Sequence, residues 1–295
     1  MDIRQLQYLA ALAREKHFTR AAQACNVTQP TLSGRIRQLE QELGVPIVAR
    51  GQRFFGLTPE GDRVLKWAHL ILDNWHSLNQ ELEQIRNTKG DLVGRITLGV
   101  IPSALPKVAP ITAAMQANHP RVDFTVLSQS SEEILRGLHD FSIEAGITYL
   151  DNEPVEGLLQ VPLYKERYCL FVADTHPIAQ RESVSWSEAA QEPLCLLTPN
   201  MQNRRIIDRA FTAANVHPAP RLETNSIMNL LSSVRSSGLA SIMPEYFIDA
   251  LGKLEAVRAI PLSNPKVEHS VGLVAMDRDP RSPLTTALFA AAKTS

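Results

Sequence analysis

Residues Phe18 to Gly44 read FTRAAQACNVTQPTLSGRIRQLEQELG, and two short amphipathic segments meet inside them. Ala21, Ala22 and Ala24 recur at helical spacing in the first (19 to 25), and Leu32, Ile36, Leu39 and Leu43 do so in the second, which starts at Thr28. Asn26 and Val27 leave room only for a tight turn between them. Thr28 can accept from the amides ahead of it, and Pro30 stands in the first turn, where its missing donor is harmless. Small alanines let the two helices cross closely, as a helix-turn-helix requires. In that motif the start of the second helix faces the major groove, so short polar readers and basic groups belong there. Thr28, Gln29, Thr31, Ser33, Arg35 and Arg37 have this character, and Pro30 shares their turn.

Gly34 sits among those readers, although a glycine in a helix interior costs about 0.8–1 kcal/mol relative to alanine. Either it permits closer approach of the helix to DNA, handing contacts to Ser33, Arg35 and Arg37, or it is a tolerated glycine without a role. After Gly44, VPIVARGQRFFGLTPEG sets Arg50 and Arg53 around Gly51 and Gly56, and RFFGL can form one arm of a short hairpin. Directly after a helix pair, such a basic turn reads as a wing that reaches the DNA backbone or minor groove.

Charge agrees with this reading. Residues 1 to 58 hold eight Lys/Arg against four Asp/Glu, a balance of +4; because the chain has 30 basic and 31 acidic residues, the remainder stands at −5. A basic head on an acidic body points toward nucleic acid. The chain has 295 residues, enough for two or three domains, and its 44% apolar and 21% charged content is ordinary for a globular protein. No long uncharged apolar run appears and the N-terminal residues carry early charges, so neither a membrane span nor a signal peptide is expected, and a cytoplasmic protein is. Cys25, Cys169 and Cys195 are odd in number and widely spaced, which suggests neither disulfides nor zinc.

Downstream, Thr58 can cap, Pro59 suits a first turn and Glu60 favours the positive helix end. Val64, Ala68, Ile71, Trp75, Leu78, Leu82 and Ile85 then step alternately by four and three, which predicts a long linker helix over 59–89 with a coiled-coil seam. With no other helix nearby to cover that strip, a second copy of the chain is the expected partner. From Leu92, the strand-like runs RITLGVI, VDFTVL, YCLFVA, PLCLL and VGLVA alternate with helical stretches at 105–118, 131–139, 201–214, 226–237 and 283–292. Strands separated by helices predict parallel sheets with helices on both faces, in two α/β lobes.

The head motif, followed by LTPEG, resembles the DNA-binding head of the LysR-type transcriptional regulators. The order of wing, long helix and α/β region, together with SSVRSSGLASIMPE, is similar to that family over essentially the whole chain. The resemblance implies a winged helix-turn-helix over 1–58, a homodimerising linker over 59–89, and a two-lobed effector domain like periplasmic binding proteins over 90–295. Lobe I would take about 90–162 and 267–295, and lobe II about 163–266. It also implies a homodimer through the linker, commonly a homotetramer, promoter DNA as target, RNA polymerase as a further partner the role allows, and no membrane. By position, Gln29, Pro30, Thr31, Ser33 and Arg37 would lie at the DNA. The chain departs from the family pattern at Gly34, where a long polar residue is common, and at Ile47-Val48, where Leu-Phe is usual.

In an open α/β domain, ligands collect beyond the strand ends, at helix N-termini. Ser103 follows the first strand, Gln129 and Ser130 the second, Thr198 and Asn200 follow LCLL, and Asn225 and Ser226 open a later helix. Each is also an ordinary cap residue; their recurrence at comparable strand ends marks them as effector-site candidates. Hydroxyls, amides and helix N-termini suit a small anion, a carboxylate or an inorganic oxyanion. The eight histidines are scattered, and neither a phosphate loop nor a Gly-x-Ser-x-Gly elbow occurs, so no catalysis, cofactor or metal is expected. A redox sensor built on Cys169 or Cys195 is the competing regulatory class, although no basic cluster beside either suggests a lowered thiol pKa.

Overall fold

A computed structural model describes residues 1–49, 56–86, 92–151, 157–247 and 256–294. The head opens with α1 (Ile3–Glu15), whose N-terminus is capped by Asp2 in a reciprocal box with Gln5. Helices α2 (Phe18–Ala24) and α3 (Gln29–Leu43) follow, and Asn26 takes the left-handed conformation (φ 54°) that the tight turn between them demands. Leu6, Leu9, Leu12, Ala21, Ala22, Leu32, Ile36, Leu39 and Ile47 form one buried core, so α3 is held by its apolar stripe. Gly44 ends α3 with φ 70°, where glycine is strain-free.

Beyond it, Val48 and Leu57 pair as an antiparallel bridge, and the Ala49 amide donates to the Gly56 carbonyl at 3.1 Å. These are the base of the wing. Its tip, with Arg50 and Arg53, lies outside the described residues. The helix α4 (Pro59–Arg86) starts against that base: a Cβ built at Gly61 would meet the Ile47 carbonyl oxygen at 2.1 Å.

The linker seam splits into two halves. Ala68 and Leu72 are buried, and Val64 and Ile71 half-buried, in the head's own core against α1. Trp67, Trp75, Leu78 and Leu82 remain 65%, 43%, 46% and 41% exposed. The expectation that no neighbouring helix covers the strip is therefore corrected: α1 covers its first part, because α4 leaves the wing across the head, and among the described residues Trp75, Leu78 and Leu82 stay exposed.

The C-terminal region contains β1 (Val93–Val100), β2 (Arg121–Ser128), β3 (Ala145–Tyr149), β4 (Leu158–Ala173), β5 (Val184–Ser185), β6 (Leu194–Leu197), β7 (Leu222–Thr224), β8 (Ala240–Pro244), β9 (Val257–Ser263) and β10 (Glu268–Met276). Its helices are α5 (Val108–Asn118), α6 (Ser131–His139), α7 (Trp186–Ala189), α8 (Gln202–Ala213), α9 (Ile227–Ser236) and a C-terminal helix, Pro283–Thr294; a 3-10 turn, Pro102–Lys107, precedes α5. One strand path runs β2-β1-β3-β10-β4-β8-β6-β7, with β9 paired to β4 and β5.

The pairs β1-β2, β1-β3, β6-β7 and β6-β8 are parallel, whereas β10 with β3 and β4, and β4 with β8 and β9, are antiparallel. All-parallel sheets were expected; the sheets are mixed because the chain crosses between lobes on β4 and returns toward β10. Strand β4 pairs with β10 up to Arg167 and with β8 from Tyr168 onward, so the crossing falls between those two residues. Arg278, just after β10, forms an ion pair with Asp73 of α4, and its guanidinium lies 3.8 Å from the Phe141 ring centroid. That contact ties the linker helix to the lobe built on β1.

Candidate functional site

At the head, the Thr28 hydroxyl accepts from the Thr31 amide at 3.4 Å and fixes the first turn of α3. Gln29, Pro30, Thr31, Arg35 and Arg37 are exposed and Ser33 is half-exposed. Gln29, Ser33 and Arg37 line an open groove of about 1020 Å³ that runs between α3 and the wing base, past Pro46 and Val48. Arg35 belongs to another side of the helix, where its guanidinium bonds Gln38 at 3.2 Å. Along the same groove, Glu40 Oε1 accepts from the Ile47 and Val48 amides at 2.7 and 3.0 Å. That carboxylate anchors the incoming wing strand to α3. Among the described residues, and apart from its chain neighbours and its own helix backbone, no atom lies within 4 Å of a Cβ built on Gly34, so the glycine faces open space.

The effector candidates take different local roles. Ser103 is buried in the 3-10 turn after β1, with its hydroxyl 3.4 Å from the Tyr149 hydroxyl. Ser130 is the N-cap of α6, in a reciprocal box with Glu133, and Ser226 is the N-cap of α9. Gln129 is half-buried, its Oε1 lying without a hydrogen-bond partner among the described residues, close against Gly99. Thr198 is held by the backbone, its amide donating to the Thr224 carbonyl at 3.0 Å. Asn200 and Asn225 are exposed. Thus Ser130 and Ser226 act as caps, and Ser103 enters a side-chain cluster between the lobes.

That cluster is centred on Glu166, which sequence reading missed. Its side chain is 0% exposed, on β4 one residue before the crossing point. Glu166 Oε1 accepts from the hydroxyls of Tyr149 (2.6 Å) and Tyr168 (2.9 Å) and from Asn203 Nδ2 (3.4 Å). Oε2 faces the Tyr164 hydroxyl at 3.5 Å. Tyr149 comes from β3 in one lobe and Asn203 from α8 in the other, and Asn203 also donates directly to the Tyr149 oxygen at 3.3 Å. Beside them, the Lys107 ammonium lies 5.4 and 5.1 Å from the ring centroids of Tyr164 and Tyr246. Burial raises the Glu166 carboxyl above the usual carboxylate range, with Tyr149, Tyr168, Ser103 and Asn203 working the other way. Burial, reinforced by Glu166, raises the phenols of Tyr149, Tyr164 and Tyr168 too.

The small anion expected at this junction therefore meets a carboxyl group already supplied by the chain. The missed signal was YKERY, 164–168, in which Tyr164, Glu166 and Tyr168 share one face of a strand. A charged residue between two tyrosines on an otherwise apolar strand face is a candidate buried polar group.

Cys169 and Cys195 are buried in sheet strands; burial pushes the Cys169 thiol up to about 12, and raises that of Cys195. Cys25, half-buried in the head, is raised by burial in spite of Arg14. Among the described residues no group of His, Cys, Asp and Glu could hold a metal ion, and no helix is long and apolar enough to cross a membrane.

Comparison with known proteins matches residues 3–62 to the bacterial regulatory helix-turn-helix protein, lysR family, and residues 89–295 to the LysR substrate binding domain. The chain belongs to the LysR family. It is 31% identical over 279 residues to a hydrogen peroxide-inducible genes activator of Haemophilus influenzae, covering 93% of this chain and 90% of that one. It is 30% identical over 275 residues to the DNA-binding transcriptional dual regulator OxyR of Escherichia coli K12, covering 93% and 89%. Among solved structures, a full-length OxyR variant from Pseudomonas aeruginosa has a TM-score of 0.78 at 24% identity, covering 99% of this chain and 95% of that one. Full-length CbnR complexed with its target DNA has a TM-score of 0.68 at 18% identity, covering 100% and 99%. The LysR member described here is thus a DNA-binding transcriptional regulator with an effector-binding domain, and not an enzyme.

Proposed function

We propose that this regulator acts in the cytoplasm, reads promoter DNA with Gln29, Thr31, Ser33 and Arg37, and reports a small-molecule effector bound between the two lobes. The observation that carries the reading is the open groove beside α3, in which the polar first turn of the helix stands free beside the wing base. Arg50 and Arg53 would add phosphate contacts from the wing, and Arg35 from its own side of the helix. Trp75, Leu78 and Leu82, left open on α4, support pairing with the linker of a second copy, and a tetramer of two such pairs fits the family architecture. An effector that prefers one lobe arrangement would shift the spacing of the paired heads, and the Asp73–Arg278 contact gives that shift a route to the linker.

Selection of bound sequences from random DNA, followed by titration against salt, tests the reading. A defined site and a linear fall of log K with log salt are expected. Binding without sequence preference refutes it.

The names of the relatives invite a peroxide sensor, but a thiol sensor needs an accessible thiolate. Cys169 and Cys195 are buried, with raised thiol pKa, and the charged neighbour that shifts Cys169 is the acid Glu245. Replacing both by serine is expected to leave any response to oxidant unchanged in a DNA-binding assay; its loss would restore the redox reading.

A further inference from the structure

We propose that Glu166 is an internal ligand: its carboxyl group occupies the carboxylate-binding place between the lobes and holds them together in the absence of any external acid. The proposal rests on reading the inter-lobe junction as the effector site, and it deepens that reading by naming what the effector lacks. Three donors converge on one oxygen, Tyr149 from one lobe, Asn203 from the other, and Tyr168 from the crossing strand. Ser103, the strand-end hydroxyl expected to meet an effector, stands 3.4 Å from Tyr149 in the same cluster. Among the described residues Glu166 is the carboxyl group of the cluster, and it is fully buried.

A carboxyl group surrounded by neutral donors from two separate lobes is the arrangement a two-lobed binding protein would offer a bound carboxylate. Here the group is covalently part of β4, so it is present at an effective concentration no free acid reaches. Two consequences follow. Small carboxylates do not compete for the junction, both because the space is filled and because a second carboxyl would lie beside the first in a dry site. The effector of this cleft engages the lobes with hydrogen-bond donors or apolar surface rather than with a carboxylate at that place.

The experiment removes the internal ligand and returns it from solution. Glu166→Ala deletes a methylene and the carboxyl, a fragment that acetate matches. Full-length wild type, Glu166→Ala and Glu166→Gln are titrated with sodium acetate against sodium chloride at matched ionic strength, with heat of binding, thermal midpoint and DNA binding followed. Saturable acetate binding by Glu166→Ala, at least about tenfold tighter than by wild type, with recovery of its thermal midpoint and no protection of Glu166→Gln, is the expected result. Acetate binding by wild type as tight as by Glu166→Ala overturns the proposal. So does a folded Glu166→Ala that binds no acetate, and so does one that stays unfolded in saturating acetate, since refilling the space should restore the junction. Calorimetry reads the internal ligand alone, whereas the DNA-binding response reads the effector role, so failure of one is distinguishable from failure of the other.

Discussion

The head and the inter-lobe junction are both polar sites, and they are built in opposite ways. At the head, α3 buries Leu32, Ile36 and Leu39 and leaves Gln29, Thr31 and Arg37 exposed, so the candidate readers lie outside the core. At the junction, Glu166, Tyr149, Tyr168 and Asn203 are buried, and they satisfy one another across two lobes. A surface of the first kind can change its readers with little loss of stability. A cluster of the second kind cannot lose one member without stranding another, because a buried polar group without a partner carries its full desolvation cost.

Substitutions separate the two. The largest effect is expected where the head is packed rather than where it reads: Gly61→Ala would drive a methyl into the Ile47 carbonyl. It should destabilise the head by about 3 kcal/mol or more and abolish DNA binding, which melting curves and a gel-shift titration check. Tyr149→Phe removes the shortest bond to Glu166. A loss of about 1–3 kcal/mol in the unfolding of the lobes is expected, with the salt slope of non-specific DNA binding unchanged.

Smaller effects belong to the reading face. Arg35→Ala should weaken all DNA sequences alike and lower the salt slope by about 1, whereas Ser33→Ala should cost about 1 kcal/mol at the preferred site and little elsewhere. If Ser33→Ala leaves the sequence preference intact, α3 is not the reader. Gly34→Ala, with no atom near the added methyl, should stabilise the helix by about 0.8–1 kcal/mol. Lost site affinity in that variant would identify Gly34 as a close-approach position; unchanged affinity would leave it without a role.

Proton linkage offers a further contrast. The Glu166 carboxyl is raised in the folded chain, so the folded state holds that proton more tightly than the unfolded state does. Its contribution is complete below the unfolded carboxylate value and is lost as pH rises through the raised folded value. Tyr149, Tyr164 and Tyr168, raised by burial, stay neutral across this window, and His269, which packs edge-on to Tyr149 and is lowered by burial, is common to wild type and variant. Thermal midpoints of wild type and Glu166→Gln from about pH 4 to 8 should therefore diverge with a slope belonging to Glu166. Parallel curves would mean that the carboxyl is not held as described.

The helix-turn-helix, the linker and the alternation of strands with helices were legible in the chain because each rests on local periodicity and on caps a few residues apart. Thr28, Asn26 and Gly44 each do in the structure what their neighbours in sequence require. The coverage of α4 by α1 was not legible, since nothing near Val64 or Ala68 tells which distant helix will meet them. Single polar residues at strand ends have the same limit: Ser130 and Ser226 are caps, and a cap looks the same whether or not a cleft lies beyond it.

Local spacing thus determined that this chain reads DNA and carries two α/β lobes, because a helix face or a strand rhythm is written in consecutive residues. Only the tertiary structure decided that Glu166 fills the junction between those lobes. Its partners Ser103, Tyr149, Tyr168 and Asn203 stand on a turn, two strands and a helix, and converge only because β4 crosses from one sheet to the other between Arg167 and Tyr168.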